Sequence, residues 1–136
     1  MARDFIHNAV KNALTNDDWR ITDDPYTIEY EGVKVYADLA AERTLAAEKE
    51  GREIAVEVKS FLSPSFMHDL ENAVGQYNIY KSYLKRIAPQ RKLYLAISDV
   101  VYERFFKQPA VTVIIEEYEV SLLIVIAVSF RMSRHL

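Results

Sequence analysis

The sequence contains no cysteine, only three glycines and only four prolines. The absence of cysteine excludes disulfide bonds and cysteine-ligated zinc. The low glycine and proline content, beside 50% hydrophobic residues, is typical of neither a disordered tract nor a flexible linker. A chain of 136 residues with this composition is therefore expected to fold as a single domain over residues 1–136.

Long apolar stretches are also missing. The amino-terminal segment "MARDFIHNAVKNAL" carries Asp4 and has no apolar core of the kind found in signal peptides. The longest apolar run, "VSLLIVIAVSF" at Val120–Phe130, is far shorter than the ~20 residues of a membrane-spanning helix. We therefore expect a cytoplasmic protein with no membrane partner.

The chain has no excess of positive charge, because 17 Lys and Arg face 20 Asp and Glu, for a net charge of −3. Any contact with nucleic acid must then come from a local patch. One candidate is "YKSYLKRIAPQRK", in which Tyr80, Lys81 and Lys85 are the residues we expect to bind nucleic acid. The alternative for this stretch is an ordinary solvated helix end.

Hydrophobic spacing predicts the order α-β-β-β-α-β-α-β-β, in which three or four successive strands follow the first helix. Helices are expected over residues 2–15, from Phe66 to just before Pro89, and at "DVVYERFF", which Asp99 would cap. Hairpins are expected for "YTIEY" with "VKVYADLA" and for "RTLAAEK" with "REIAVEVKSF". The remaining strands are "KLYLAIS", "VTVII" and "VSLLIVIAV". This pattern predicts an α/β fold with a mixed central sheet flanked by helices.

The segment "IAVEVKSF" places two charges in an apolar strand. Glu57 and Lys59 are two residues apart, so their side chains lie on the same face. Asp38 lies at the boundary between two predicted strands and can approach Glu57. Two carboxylates and a lysine at a sheet edge suit Mg²⁺-dependent phosphodiester hydrolysis. An exposed strand with alternating charge is the alternative, and Glu42 and Glu48 are second-choice acids.

The predicted central helix supplies a third element, "GQYNIY". Gln76 and Tyr80 are four residues apart and so share one face of the helix. Gln76 can hydrogen-bond a phosphate or a metal-bound water, and Tyr80 can contact a nucleic-acid backbone or stack on a base. A polar helix flank with a sideways-packed tyrosine is the alternative.

Asp38, the Glu57-Val58-Lys59 triplet and Gln76 with Tyr80, in this order of elements, resemble the PD-(D/E)XK nuclease superfamily. Over residues 2–106 the chain more closely resembles the XisH family, the fdxN-element excision controlling factors of heterocyst-forming cyanobacteria. The segments that carry this likeness are "ARDFIHNAVKNAL", "ITDDPY", "ADLAAE", "IAVEVKSF", "GQYNIY" and "LYLAIS".

The resemblance implies a restriction-endonuclease-like fold and a role for each matched residue. Asp38 and Glu57 would ligate Mg²⁺ or Mn²⁺, Lys59 would assist hydrolysis or hold the phosphate, and Gln76 would position the substrate. DNA and a small companion protein called XisI would be the partners. The sequence departs from the nuclease pattern in its first helix, where Asp4 is the only acid.

Three functional hypotheses follow. The first is a metal-dependent DNA endonuclease. The second is a catalytically silent regulatory or scaffolding protein that acts through a partner, which the negative charge and the missing first-helix acid favour. The third is a homodimer that pairs the apolar strand "VSLLIVIAV" across a two-fold axis.

Overall fold

The structure is a computed structural model that describes residues 2–44 and 51–126. Its first half contains α1 (Ala2–Asn16), β1 (Arg20–Asp23), β2 (Tyr26–Tyr30), β3 (Val33–Ala37), β4 (Leu39–Arg43) and β5 (Arg52–Val58). Its second half contains α2 (Phe66–Ile87), β6 (Arg91–Ser98), α3 (Asp99–Val101), a π-helical turn (Tyr102–Phe106), α4 (Pro109–Glu117) and β7 (Leu122–Val125).

Five strands form a mixed sheet in the order β1-β4-β5-β6-β7. The pairs β1–β4 and β4–β5 are antiparallel, whereas β5–β6 and β6–β7 are parallel. The helix α2 connects the parallel neighbours β5 and β6, as a crossover connection requires. The expected α/β class with a mixed central sheet is confirmed.

Alternation along β5 sends its side chains into two separate cores. Ile54, Val56 and Val58 pack with the apolar stripe of α1, which Ile6 and Val10 represent. Residues of the other parity face α2, so that Ala55 packs in the cluster formed around Tyr77 and Leu84. Glu57 shares that parity, and its carboxylate is therefore directed toward the α2 side of the sheet.

The hairpin β2–β3 was expected and is present, but it forms a sheet of its own beside α2. Ile28 of β2 is fully buried in the cluster under α2, and the rings of Tyr30 and Tyr83 stack with their centroids 5.5 Å apart. The chain then enters the main sheet through Asp38. The hairpin thus covers the same side of the sheet that receives Glu57.

The strand before β5 begins earlier than its sequence indicated. We expected "RTLAAEK" to pair with β5, whereas β4 ends at Arg43 and most of that segment lies outside the described residues. Leu39, Ala40 and Ala41 are fully buried and form the actual strand. The strand that they form pairs with β1 on one side and with β5 on the other. The sequence alone does not indicate this pairing.

The prediction that "VTVII" is a strand is wrong, because these residues lie in α4. Pro109 occupies the first turn of this helix, and Thr112 Oγ1 donates a hydrogen bond to the Gln108 carbonyl. Val111 is buried, while Ile114 and Ile115 pack partly against the core, which is the spacing of one helical face. Tertiary packing therefore overrides the β preference of these branched residues.

Two smaller details also differ from expectation. Strand β1 was not predicted, and it is held at the sheet edge by pairing with β4. The cap of the short helix α3 is Ser98, whose hydroxyl accepts a hydrogen bond from the Val101 amide, and Asp99 is instead in the first turn. In the described part of the chain, no helix is both long and apolar enough to cross a membrane.

Candidate metal centre

Asp38 and Glu57 lie side by side because of the register between β4 and β5. Leu39 pairs with Val56 in this antiparallel ladder, so Asp38, one residue earlier, is level with Glu57, one residue later. Residues opposite each other in an antiparallel pair direct their side chains to the same face. One strand pairing thus brings together two acids that are 19 positions apart in sequence.

Both carboxylates are buried, with exposed fractions of 6% for Asp38 and 5% for Glu57. The Val58 amide donates a hydrogen bond of 2.7 Å to Asp38 Oδ2. This bond holds the Asp38 carboxylate against the end of β5. Buried carboxylates are costly unless they are paired, hydrogen-bonded or bound to a metal. Two of them side by side therefore make this position a candidate functional site.

Lys59 supplies the positive charge beside the pair. Its Nζ lies 3.4 Å from Glu57 Oε2, and its side chain is 25% exposed while that of Glu57 is 7% exposed. The Lys59 amide donates to the Ala96 carbonyl at 3.0 Å, so the residue stays in register with β6 after β5 ends. The ammonium group therefore lies between the buried acids and solvent.

The pKa of Glu57 is raised from 4.5 to about 7. Burial is the largest cause, the neighbouring Asp38 carboxylate adds to the rise, and the Lys59 ammonium opposes it. Burial likewise raises the pKa of Tyr80, and the negative charges of Glu57 and Asp38 raise it further. Tyr80 thus lies within electrostatic reach of both acids.

This position changes the interpretation of Tyr80. The sequence suggested a nucleic-acid contact, but the side chain is only 9% exposed and packs in the core under α2. Gln76 lies one turn earlier on the same flank of α2, and its Oε1 is a buried atom with no hydrogen-bond partner among the described residues. The predicted helix face therefore turns toward the acids.

A second oxygen shares this lack of a donor. Glu57 Oε1 is buried and has no hydrogen-bond partner in the described part of the chain. Buried acceptors without donors are rare in folded proteins and call for an explanation such as a bound ion. Carboxylate and amide oxygens are hard ligands, and Mg²⁺ commonly binds one or two carboxylates while retaining water and phosphate ligands. The carboxylates of Asp38 and Glu57 thus fit Mg²⁺ or Mn²⁺, and Gln76 offers an amide oxygen of the same chemical kind.

The described residues do not form a complete cage of protein ligands. Within residues 2–44 and 51–126, no group of three or more His, Cys, Asp or Glu side chains could hold a metal ion. Glu42 is directed elsewhere, since it pairs with Arg20 at 3.1 Å and approaches Arg91 at 3.8 Å. Glu48 and the side chain of Asp4 lie outside the described part of the structure.

A cavity of about 290 Å³ is lined by Lys59 and the residues that follow it in the chain. Its lining is mostly polar and includes Ser60, Ser63, Asp69 and Asn72. Phe61 also lines it and has a φ of +54°, an uncommon conformation for a bulky residue. Its ring packs edge-on against that of Phe106, with the two ring centroids 5.3 Å apart.

The two lysines predicted to bind nucleic acid lie apart from the acids. Lys81 Nζ donates hydrogen bonds to the carbonyls of Tyr118 and Glu119, at 2.8 and 3.4 Å, after the end of α4. Lys85 is exposed near the end of α2. Sequence reasoning could not foresee the engagement of Lys81, because its partners are 37 and 38 residues away.

Comparisons with known proteins relate most of the chain to one family. The XisH protein family model matches residues 1–130, which is further than the sequence motifs alone reach. The crystal structure of an XisH family protein from Nostoc punctiforme PCC 73102 is 41% identical, with a TM-score of 0.82, and the match covers 90% of this chain and 91% of that one.

A second crystal structure is similarly close. It is that of an fdxN element excision controlling factor protein from Anabaena variabilis, which is 40% identical with a TM-score of 0.81. The match covers 92% of each chain. No curated protein gives a significant match.

Proposed function

The chain belongs to the XisH family, and from this premise we propose that it is an excision controlling factor with a nuclease-like site that binds Mg²⁺ or Mn²⁺ and the phosphodiester backbone of DNA. The observation that carries the proposal is the buried pair of Asp38 and Glu57, with Lys59 at 3.4 Å from Glu57. The likeness to the PD-(D/E)XK superfamily belongs to this proposal.

Each residue of the site has a chemical role in this proposal. Asp38 and Glu57 hold the ion, with the amide oxygen of Gln76 as a further ligand or as an acceptor for bound water. When bound, the ion supplies Lewis acidity and orients the phosphate. Lys59 stabilises negative charge on the phosphoryl oxygens, and its partial exposure leaves it accessible to a ligand from solvent.

The raised pKa of Glu57 makes ion binding depend on pH. A metal ligand must be deprotonated, and the carboxyl of Glu57 has a pKa of about 7. Mn²⁺ affinity should therefore increase as the pH rises through 7. Burial keeps Glu57 protonated below about pH 7. Above that pH, the buried carboxylate is stabilised when a cation binds to it.

Calorimetric titration of Mn²⁺ tests the ion site directly. We expect binding by the wild type, loss of binding in Glu57→Ala and retention in Glu29→Ala, which removes an exposed acid of the separate hairpin. A Mg²⁺ or Mn²⁺ cleavage assay on supercoiled plasmid should run alongside. Cleavage by the wild type that Glu57→Ala abolishes would support the endonuclease, whereas a wild type that binds no ion would refute the site.

The second candidate is a catalytically silent factor that controls excision through a partner. The specific observation in its favour is the short ligand set, because only two carboxylates converge among the described residues. This candidate predicts no cleavage by the wild type and co-purification of an XisI-like companion protein. Plasmid cleavage that depends on Glu57 would exclude it.

A further inference from the structure

A cavity of about 370 Å³ lies between the second half of α2 and the start of β6, with the turn from α4 to β7 as its third wall. Its volume is within the range of small-molecule sites, and its wall combines apolar and polar groups. The lining residues that carry charge are Lys81, Lys85, Arg91, Lys92 and Glu119. Four cations thus surround one cavity, against one carboxylate among the described lining residues.

Two of these cations are occupied by the fold. Lys81 binds the backbone carbonyls that follow α4. Arg91 pairs with Glu53 at 3.1 Å and donates to the Ile54 carbonyl at 2.8 Å. Neither side chain can leave its partners without loss of structural contacts. They contribute to the local field but are poor candidates for direct ligand binding.

The other two cations are available. Lys85 and Lys92 are exposed, and neither forms an ion pair with any described residue. Lys92 Nζ lies 5.1 Å from the centroid of the Tyr94 ring, a weak contact at an exposed position. Both ammonium groups can therefore turn toward a ligand at the mouth of the cavity.

The surrounding sequence adds to the excess of positive charge around the cavity. The stretch from Asn72 to Ser98 contains five Lys or Arg residues and no Asp or Glu, in a chain whose net charge is −3. Arg86, the cation that does not line the cavity, is exposed beside Lys85 and extends the positive surface beyond it. A ligand longer than a single phosphate could contact both the cavity and Arg86.

This cavity is distinct from the candidate metal centre. At about 100° per residue, Lys81 and Lys85 lie on the opposite flank of α2 from Gln76 and Tyr80. The acids of β4 and β5 act electrostatically on Tyr80 of the latter flank, whereas the cavity is lined by Glu119 and Ser121 before β7. The two sites can therefore be disrupted independently.

We propose that Lys85 and Lys92, at the mouth of this cavity, bind a phosphate group of a nucleic-acid strand. The inference goes beyond the ion site and does not require that the protein cleave DNA. It replaces Tyr80 and Lys81, which are engaged within the fold, with two cations that are free to bind. The apolar wall formed by Leu84, Pro89 and Leu93 can receive the sugar or base next to that phosphate.

Fluorescence anisotropy with a labelled single-stranded oligonucleotide and its duplex tests the proposal. The buffer should contain EDTA and no divalent ion, so that the acidic pair does not contribute. Lys85→Gln and Lys92→Gln should each weaken binding about five-fold and lower the slope of log affinity against log salt by about 1. Lys34→Gln, an equal charge change on the exposed hairpin, is the matched control.

The possible results distinguish binding of a nucleic-acid strand from binding of a single nucleotide and from a general effect of net charge. Equal effects of Lys34→Gln and Lys85→Gln would overturn the proposal, because only net charge would then matter. A mononucleotide that binds as tightly as the oligonucleotide and displaces it would overturn the assignment to a strand. Retained Mn²⁺ binding in Lys85→Gln, together with its loss of oligonucleotide binding, would support the cavity as a site separate from the acids.

Discussion

Glu57 is the residue at which burial and charge oppose each other most strongly. Its pKa of about 7 means that the folded protein holds a proton on this carboxyl at pH values where the unfolded chain has released it. The stability that this residue contributes is therefore fully present below pH 4.5. It is lost as the pH rises through the folded pKa near 7.

Replacement of Glu57 by glutamine should remove this pH dependence. Above about pH 8 we expect Glu57→Gln to raise the free energy of unfolding by roughly 2 kcal/mol, because the buried negative charge of Glu57 beside Asp38 is then absent. Below about pH 4.5 the change should be close to zero. Urea unfolding of both proteins across this range is the measurement.

The exposed acid Glu29 provides the control for that experiment. Glu29→Gln removes an equal charge from the hairpin and should leave the pH profile of the wild type unchanged. A Glu57→Gln variant whose stability follows the wild-type profile would contradict the burial of its charge. Addition of Mn²⁺ should raise the stability of the wild type at about pH 8 and not that of Glu57→Gln.

At the scale of elements, α4 is joined to α2 through Lys81. Its ammonium satisfies carbonyls beyond the end of α4, where a helix leaves acceptors without intrahelical donors. Lys81→Met should lower the free energy of unfolding by about 1 kcal/mol. Lys85→Met, on the next turn of α2 and exposed, should change it little. Equal effects in chemical denaturation would show that the Lys81 contacts are not stabilising.

The turn between β2 and β3 contains a residue that is poorly suited to its conformation. Glu31 and Gly32 have φ values of +50° and +82°, the signs that a type I′ hairpin turn requires. Asparagine tolerates a positive φ better than glutamate, so Glu31→Asn should stabilise the protein by roughly 0.5 kcal/mol. Thermal unfolding measures the gain. Glu29→Asn, in the adjoining strand, should show no such gain, and a matching gain would point to charge instead.

At the scale of the whole molecule, β7 is the feature that bears on assembly. It ends the five-stranded sheet, and its outer edge pairs with no strand in the described part of the chain. Ile124 and Ile126 are 42% and 40% exposed there. An apolar sheet edge is a template for pairing with a second copy, so the homodimer that the sequence suggested as a third hypothesis stays a prediction.

Sedimentation at micromolar concentration tests that dimer. We expect the wild type to sediment as a dimer and Ile124→Lys as a monomer, because a charge on the edge opposes strand pairing. Ile79→Lys introduces the same charge at an exposed position on α2 and should remain dimeric. A wild type that is monomeric at this concentration would contradict the hypothesis that β7 pairs with a second copy of the chain.

Much of the architecture follows from local sequence patterns. The apolar spacing of α1 and α2 and the run of β6 identify these elements correctly, because a helix or strand with one strongly apolar face carries its own period. The same-face placement of Glu57 and Lys59 follows from the two-residue period of a strand. For Asp38, the sequence predicts only that a connection of strand, turn and strand can bring it close to Glu57.

Other features depend on contacts between residues far apart in sequence. The helical conformation of "VTVII", the edge strand β1 and the early start of β4 are set by packing and pairing partners that no local window contains. Tertiary structure likewise turned Tyr80 toward the acids and attached Lys81 to the end of α4.

The sequence by itself determined which residue types could form a metal site and which strand and helix would carry them. Only the tertiary structure decided that Asp38 lies level with Glu57, that Glu57 Oε1 and Gln76 Oε1 are buried without a donor among the described residues, and that Lys85 and Lys92 border a separate cavity. The physical reason is that periodicity sets the face on which a side chain lies, whereas burial and pKa depend on every element that packs against that face.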